Sequence, residues 1–231
     1  MWPFTVKLAK TGFLIGFTDF HCHLLPGVDD GIKKMKDTLL MLDYYEEVGM
    51  KEVWFTPHIM EDVPNTTEFL KSRFEEVKSE YKGGLSLNLA AEYMLDNVFE
   101  ERLAANDLLL HGDAQDRVLV ETSYFNGPMD LHDILKRIMA NGVFPLLAHP
   151  ERYVYMDYDE YKKLKDMGVR FQLNISSICG LYGNHVLEKA QWLLKHDMYD
   201  VIGSDTHRVS ARMGDFVIKR KLAKKMFECR G

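Results

Sequence analysis

The sequence predicts an α/β fold, a single domain in which parallel strands alternate with helices and close into a barrel of seven strands. Three observations carry that prediction. Runs rich in β-branched and aromatic residues alternate seven times with runs of helical period between Phe17 and Phe227. Side chains of the metal-ligand type fall at or just beyond the C-terminal ends of the β-type runs: His21 and His23, His58, Glu92, Glu121, His149, then Asp205 and His207. In a parallel barrel those ends converge on one mouth, whereas an open sheet would spread them along an edge. The 231 residues also suit one barrel domain.

Residues 1–16 form an N-terminal extension of unassigned role, ahead of a barrel domain over residues 17–231 that includes a C-terminal helix. Phe17 to Phe20 is the first strand and runs into His21-Cys22-His23. Alternate residues of a strand share a face, so His21 and His23 can present imidazoles to one ion while Cys22 points away to fill the core. Pro26-Gly27 turns the chain, and Asp29-Asp30-Gly31 offers a carboxylate at a second bend, from either aspartate. A helix runs from Asp37 to Val48 and stops at Gly49. Glu52 to Thr56 is the second strand, ended by Pro57-His58, and Thr66-Thr67-Glu68 opens a charged helix to Lys82.

Leu85 to Ala91 is the third strand with Glu92 at its end, followed by a short helix from Asn97 to Ala105. The fourth strand, Arg117 to Glu121, again ends on a carboxylate. A helix from Met129 to Ala140 stops at Asn141-Gly142, and Val143 to His149 is the fifth strand. Next come a helix from Tyr158 to Met167, a sixth strand from Val169 to Asn174, and a helix from Asn184 to His196. The seventh strand, Tyr199 to Ser204, leads into Asp205-Thr206-His207, which repeats the spacing of the opening histidine pair. A basic helix from Asp215 to Phe227 closes the chain.

A net charge of -6 argues against a polyanion such as nucleic acid as the main partner. Three widely spaced cysteines make no disulfide framework and fit a reducing compartment. No stretch has the length and apolarity of a signal peptide or a membrane span, so a cytoplasmic protein without membrane insertion is expected.

Five of the nine histidines stand at strand ends; His111, His132, His185 and His196 do not and are expected to be surface or structural. Glu92 and Glu121 end apolar strands, where an unpaired carboxylate is costly to bury. A metal accounts for them, and the competing account is an ion pair with Arg102 or Arg117. The ligand-type side chains exceed what a single four- to six-coordinate ion needs, which implies two or three ions. Such clusters generate hydroxide near neutral pH and hold phosphoryl oxygens, the usual machinery of phosphoester hydrolysis. Arg152, three residues after His149, and Arg212, five after His207, are candidates to fork onto phosphate. The competing partners are Glu151 for Arg152 and Asp215 for Arg212. Asn174, Ser176 and Ser177 are placed along the mouth, and Tyr153, Tyr155 and Tyr158 at its rim.

Taken together, Asp19-Phe20-His21-Cys22-His23 through Asp29-Asp30-Gly31, Thr56-Pro57-His58, Ala91-Glu92, Leu119-Val120-Glu121, Ala148-His149-Pro150-Glu151-Arg152-Tyr153 and Ser204-Asp205-Thr206-His207 resemble the polymerase-and-histidinol-phosphatase (PHP) superfamily. Within it the pattern is similar to the metal-dependent protein-tyrosine phosphatases of bacterial capsular and exopolysaccharide operons. The resemblance implies a distorted (β/α)7 barrel with a trinuclear centre, commonly of manganese or iron, sometimes of zinc or magnesium. It implies His21, His23, Glu92 and Asp205 on one ion, Glu92, Glu121 and His149 on a second, and Asp30, His58 and His207 on the third. Arg152 and Arg212 match the phosphate-contacting arginines, and Ile59 stands where many relatives carry a second histidine. The implied substrate is phosphotyrosine on a bacterial tyrosine autokinase. Hydrolysis of a small phosphomonoester such as histidinol phosphate is the alternative, and an inert metal-containing binding module a more distant one.

Overall fold

In the computed structural model, residues 4–229 are described. The chain enters through β1 (Thr5–Lys7) and a 3-10 turn, then β2 (Thr18–Cys22) and helix α1 (Met35–Glu47). β3 (Glu52–Phe55) and β4 (His58–Ile59) precede α2 (Thr67–Glu80). β5 (Ser86–Leu89), β6 (Glu92–Met94) and α3 (Asn97–Ala105) lead to β7 (Arg117–Glu121) and α4 (Leu131–Ala140). β8 (Phe144–Ala148), α5 (Tyr158–Asp166) and β9 (Arg170–Asn174) follow. The one-turn helix α6 (Ile175–Ile178), α7 (Asn184–Lys195), β10 (Val201–Gly203), β11 (Val217–Lys219) and α8 (Arg220–Glu228) complete the order.

Caps set several helix starts. The Thr66 hydroxyl accepts from Phe69 N–H, and the Asp96 and Asp157 carboxylates do the same for the first turns of α3 and α5. Gly49 and Gly168, both at positive φ, stop α1 and α5 where the sequence indicates.

Six strands pair in parallel in the order β10-β9-β8-β7-β6-β4, and three more in the order β2-β3-β5. The two groups meet on both sides, so the parallel sheet is curled. On one side Asp205 N–H donates to the His21 carbonyl (2.7 Å) and His23 N–H to that of Thr206 (3.0 Å). The Asp19 carboxylate reinforces this contact between β2 and β10, taking the Ser204 N–H (2.7 Å) and hydroxyl (2.6 Å). Gly203 makes the approach feasible, since a Cβ there would stand 2.5 Å from that of His21.

On the other side the second and third predicted strands are each interrupted. Pro57 has no N–H to contribute to a ladder, and pairing moves from β3–β5 to β4–β6 across it. Ala90 N–H still reaches the Phe55 carbonyl (2.9 Å) and Glu92 N–H that of Pro57 (3.0 Å). Glu92 therefore opens β6 instead of ending a strand.

The tail is a second correction. Residues 213–215 form a 3-10 turn and Val217–Lys219 a strand, and only the part from Arg220 is helical. β11 pairs antiparallel with β1, Val6 opposite Ile218, and both side chains are buried. A partner some 210 residues away in sequence is invisible to a local reading, which sees only the helical period that follows.

The strands are apolar on both faces, as a covered parallel sheet requires. Val118, Val120, Leu147 and Ile202 face the helices in the main core, while Leu119, Leu146, Ala148 and Val201 pack with Phe20 as a separate group. Val6, Leu8, Phe13 and Leu14 of the N-terminal segment join the main core. No helix among the described residues is long and apolar enough to cross a membrane.

Candidate metal centre

The C-terminal ends of the parallel strands carry one dense group of imidazoles and carboxylates. His21 and His23 share a face as their spacing predicts, with Nε2 atoms 3.1 Å apart. Glu92, fully buried, places Oε2 3.2 Å from His21 Nε2, His23 Nε2 and His58 Nδ1, and Oε1 3.1 Å from His149 Nε2. Glu121 Oε1 lies 3.1 Å from His58 Nδ1, and Asp205 Oδ1 lies 3.4 to 3.6 Å from His23, His21 and His207. Asp30 Oδ1 stands 3.3 Å from His207 Nε2 and 3.6 Å from that of His58. All nine candidate ligands read from the sequence thus fall in one assembly.

Three overlapping groups have donor atoms within 4.8 Å of one another: His23, Asp30, His58 and His207; His21, His23 and Glu92; and His58, Glu92 and Glu121. Glu92 Oε2 and the Nδ1 atoms of His58 and His149 are buried without a hydrogen-bond partner. Borderline nitrogen and hard oxygen donors with vacant lone pairs suit divalent cations. Protonation behaviour points the same way. Burial alone would push His21 down, yet Glu92 and Asp205 outweigh it and raise its pKa to about 9. Burial likewise opposes ionisation of Glu92, but His21, His58 and His149 hold its carboxyl well below the usual range. The site demands positive charge, and a metal ion meets that demand.

Backbone strain accompanies the cluster. His149 (φ 35°) and Asp205 (φ 53°) both lie in the left-handed region, a conformation that costs of order 1–3 kcal/mol and gathers at functional sites. Neighbours fix the imidazoles. His23 Nδ1 pairs with Asp29 Oδ2 (2.9 Å), which also accepts from His58 N–H (3.1 Å). His21 Nδ1 pairs with Gln172 Oε1 (3.0 Å), which accepts from His149 N–H (3.1 Å) as well. Of the two adjacent aspartates, Asp30 therefore joins the cluster directly and Asp29 stands behind it.

The competing ion pairs do not form. Arg102 is bound to Asp107 and Arg117 to Asp116, while Glu151 is buried under the Asn174 N–H and the Tyr199 hydroxyl. Arg152 reaches the cluster, with Nη1 2.8 Å from Asp205 Oδ2, and lines a cleft of about 470 Å³ above it. Arg212 does not line that cleft. Its guanidinium lies 4.5 Å from the Tyr44 ring centroid, and Asp215 is taken by Lys7. Arg208, which local spacing did not single out, lines the cleft with Ser176 and Ser210.

The tyrosines placed at the rim are another correction. Tyr153 is fully buried, its hydroxyl accepting from Thr122 N–H; Tyr155 bonds Thr122 and Tyr158 stacks on Trp192. Tyr124 and Tyr182 line the cleft instead. Cys22 packs in the core as expected, its thiol donating to the Trp54 carbonyl (3.3 Å). Asn174 supports the mouth by donating to Asp205 (2.7 Å).

Fold and cluster together define a class, a curled parallel α/β protein whose strand ends gather imidazoles and carboxylates suited to divalent cations. Residues 17–229 match the family described as capsular polysaccharide synthesis, CpsB/CapC, and the chain belongs to that family. It is 27% identical over 231 residues to the tyrosine-protein phosphatase CpsB of Streptococcus pneumoniae, covering 91% of this chain and 93% of that one. It is 24% identical over 200 residues to the tyrosine-protein phosphatase YwqE of Bacillus subtilis, covering 84% and 78%.

Among solved structures it resembles one from the work on YwqE and CpsB, described there as unique metal-dependent tyrosine phosphatases. The TM-score is 0.75 at 23% identity, over 85% of this chain and 81% of that one. The lactonase Lmo2620 of Listeria monocytogenes is a looser likeness in fold, with TM-score 0.55 at 11% identity over 94% and 87%.

Proposed function

We propose that this chain is a metal-dependent protein-tyrosine phosphatase that hydrolyses phosphotyrosine in the service of capsular or exopolysaccharide synthesis. The observation that carries the reading is the convergence of nine ligand-type side chains beneath a cleft that also holds Arg152. The tyrosine-phosphatase names of the relatives support the same activity over histidinol phosphate hydrolysis. A tyrosine autokinase is the protein substrate we favour, and the cytoplasm the compartment.

The reading takes the fold as a distorted (β/α)7 barrel of the PHP type. β3 with β4, and β5 with β6, each count as one broken strand, and the barrel beginning at residue 17 forms one domain with the preceding segment packed into its core. In the ligand set we assign, His21, His23, Glu92 and Asp205 would hold one ion, Glu92, Glu121 and His149 a second, and Asp30, His58 and His207 a third. Manganese is the metal we favour, with iron, zinc and magnesium as alternatives. When bound, two or three such ions supply Lewis acidity and lower the pKa of water toward neutrality.

The chain's own groups do the rest. Asp29 and Gln172 hold His23 and His21 at their Nδ1 atoms and so aim Nε2 inward. Arg152 offers N–H donors to phosphoryl oxygens from the cleft wall. Phenol has a pKa of about 10, so a phenolate leaves without a strong general acid. Arg212 enters by its spacing from His207 and by the resemblance, while it packs on Tyr44 and does not line the cleft.

Turnover of a phosphotyrosine peptide, histidinol phosphate and p-nitrophenyl phosphate, measured with added manganese, tests the reading. The peptide should be hydrolysed most efficiently. A preference for histidinol phosphate would overturn the substrate assignment, and inert protein would overturn the activity itself.

A further inference from the structure

We infer that Tyr124 and Tyr182 are positioning residues that flank the Arg152 guanidinium and hold it where it receives a phosphoryl group. This rests on the assignment of Arg152 as a phosphate contact. The Cζ of Arg152 lies 4.3 Å from the Tyr124 ring centroid and 4.4 Å from that of Tyr182. The three residues come from three different loops: Tyr124 follows β7, Arg152 ends the 3-10 turn after β8, and Tyr182 follows α6.

One edge of the guanidinium is already committed. Nη1 donates to Asp205 Oδ2, the same oxygen that takes the Asn174 amide. With that edge pinned and two ring centroids within 4.4 Å of Cζ, rotation of the plane is restricted. The remaining N–H donors belong to a side chain that lines the cleft. An unrestrained arginine loses much rotamer freedom when it clasps an anion, and one held in place beforehand loses less. The rings contribute a cation–π attraction to the same end.

The rings are themselves held. Tyr124 stacks on Tyr153 with centroids 6.0 Å apart, and its carbonyl accepts from Val154 N–H (2.8 Å), which ties its loop to the one carrying Arg152. Tyr182 stands with Ser176 of α6 in the wall of the cleft. Asn174, at the end of β9, donates to the Asp205 oxygen that takes Arg152 Nη1. Sequence spacing gives no hint of this arrangement, because the three side chains meet only through loop geometry.

The test compares Tyr182→Ala, Tyr182→Phe, Tyr124→Leu and Arg152→Ala, with the Tyr182→Ala/Arg152→Ala double variant. KM and kcat for a phosphotyrosine peptide, the inhibition constant of inorganic phosphate, and metal content are read for each. Tyr182→Ala and Tyr124→Leu should raise KM and the phosphate inhibition constant about tenfold, with kcat and metal content changed less. Tyr182→Phe, which keeps the ring, should restore both constants to within about threefold of the parent. In the Arg152→Ala background Tyr182→Ala should add almost nothing, since the two act as one unit.

Three results would overturn the inference. They are an equal cost of Tyr182→Ala with and without Arg152, a Phe variant as impaired as the Ala variant, or a silent Tyr182→Ala beside a costly Arg152→Ala. A silent Arg152→Ala would remove the phosphate assignment beneath it as well.

Discussion

Two buried imidazoles of this protein differ in one respect, and that respect decides their chemistry. His111 and His21 are both wholly buried. His111 lies between Trp54 (centroids 4.2 Å apart) and Phe20 (5.5 Å), its Nε2 against the Phe20 carbonyl at 2.9 Å. Burial there is unopposed by any carboxylate contact and drives its pKa down to about 3. His21 suffers the same burial, yet Glu92 and Asp205 carry its pKa up to about 9. Burial of a histidine thus says nothing about function until its neighbours are counted. A ring among rings is a structural block, and a ring among carboxylates is a cation site.

The sharpest way to break the comparison is to remove one of the ligand-type side chains gathered around His21. Asp205→Ala, and equally His149→Ala, should lower phosphotyrosine turnover by roughly a thousandfold or more, of order 4 kcal/mol of transition-state stabilisation. The far-ultraviolet circular dichroism should stay that of the parent, because apolar packing on both faces of the sheet holds the fold. Activity retained in both variants would show that the cluster is not the reaction centre.

A smaller effect sharpens it. Gln172→Leu removes the acceptor that fixes His21 Nδ1, leaving every candidate ligand in place. Loss of such an outer partner costs about 10- to 100-fold in metal affinity, to be measured by competition with a metallochromic chelator. An unchanged affinity would mean that Gln172 only supports the backbone N–H of His149.

The smallest effect belongs to the other imidazole. Folded His111 titrates near 3 and an unfolded histidine near 6.5, so between those values the unfolded chain binds more protons and acid destabilises the fold. The cost at pH 5 is of order 2 kcal/mol. His111→Gln, which keeps a donor for the Phe20 carbonyl, should lose that part of the pH dependence, read from urea denaturation at pH 7 and pH 5. In chelated protein His21 runs the other way: its contribution is complete below 6.5 and is lost as pH rises through about 9.

The candidate cluster was legible in the sequence because its imidazoles and carboxylates fall where a β-rich run meets a turn or a break, even at Glu92, which opens β6. His21 with His23, and Asp205 with His207, announce themselves by spacing. The split of the second and third strands was half legible, since Pro57 was in view but its partner break at Ala90-Ala91 depends on pairing. β11 was not legible, because its strand character comes from β1 at the far end of the chain. The cleft walls were the least legible of all. Tyr124, Tyr182 and Arg208 lie on loops without period, and Tyr153, which looked like a rim residue, is buried just after the 3-10 turn Pro150–Arg152.

The most direct test of the central claim is to measure the divalent-metal content of purified protein alongside phosphotyrosine-peptide turnover, before and after exhaustive chelation. Two or three ions per chain are predicted, with turnover abolished on their removal and regained when manganese is restored. Full activity in protein stripped of metal would contradict the account.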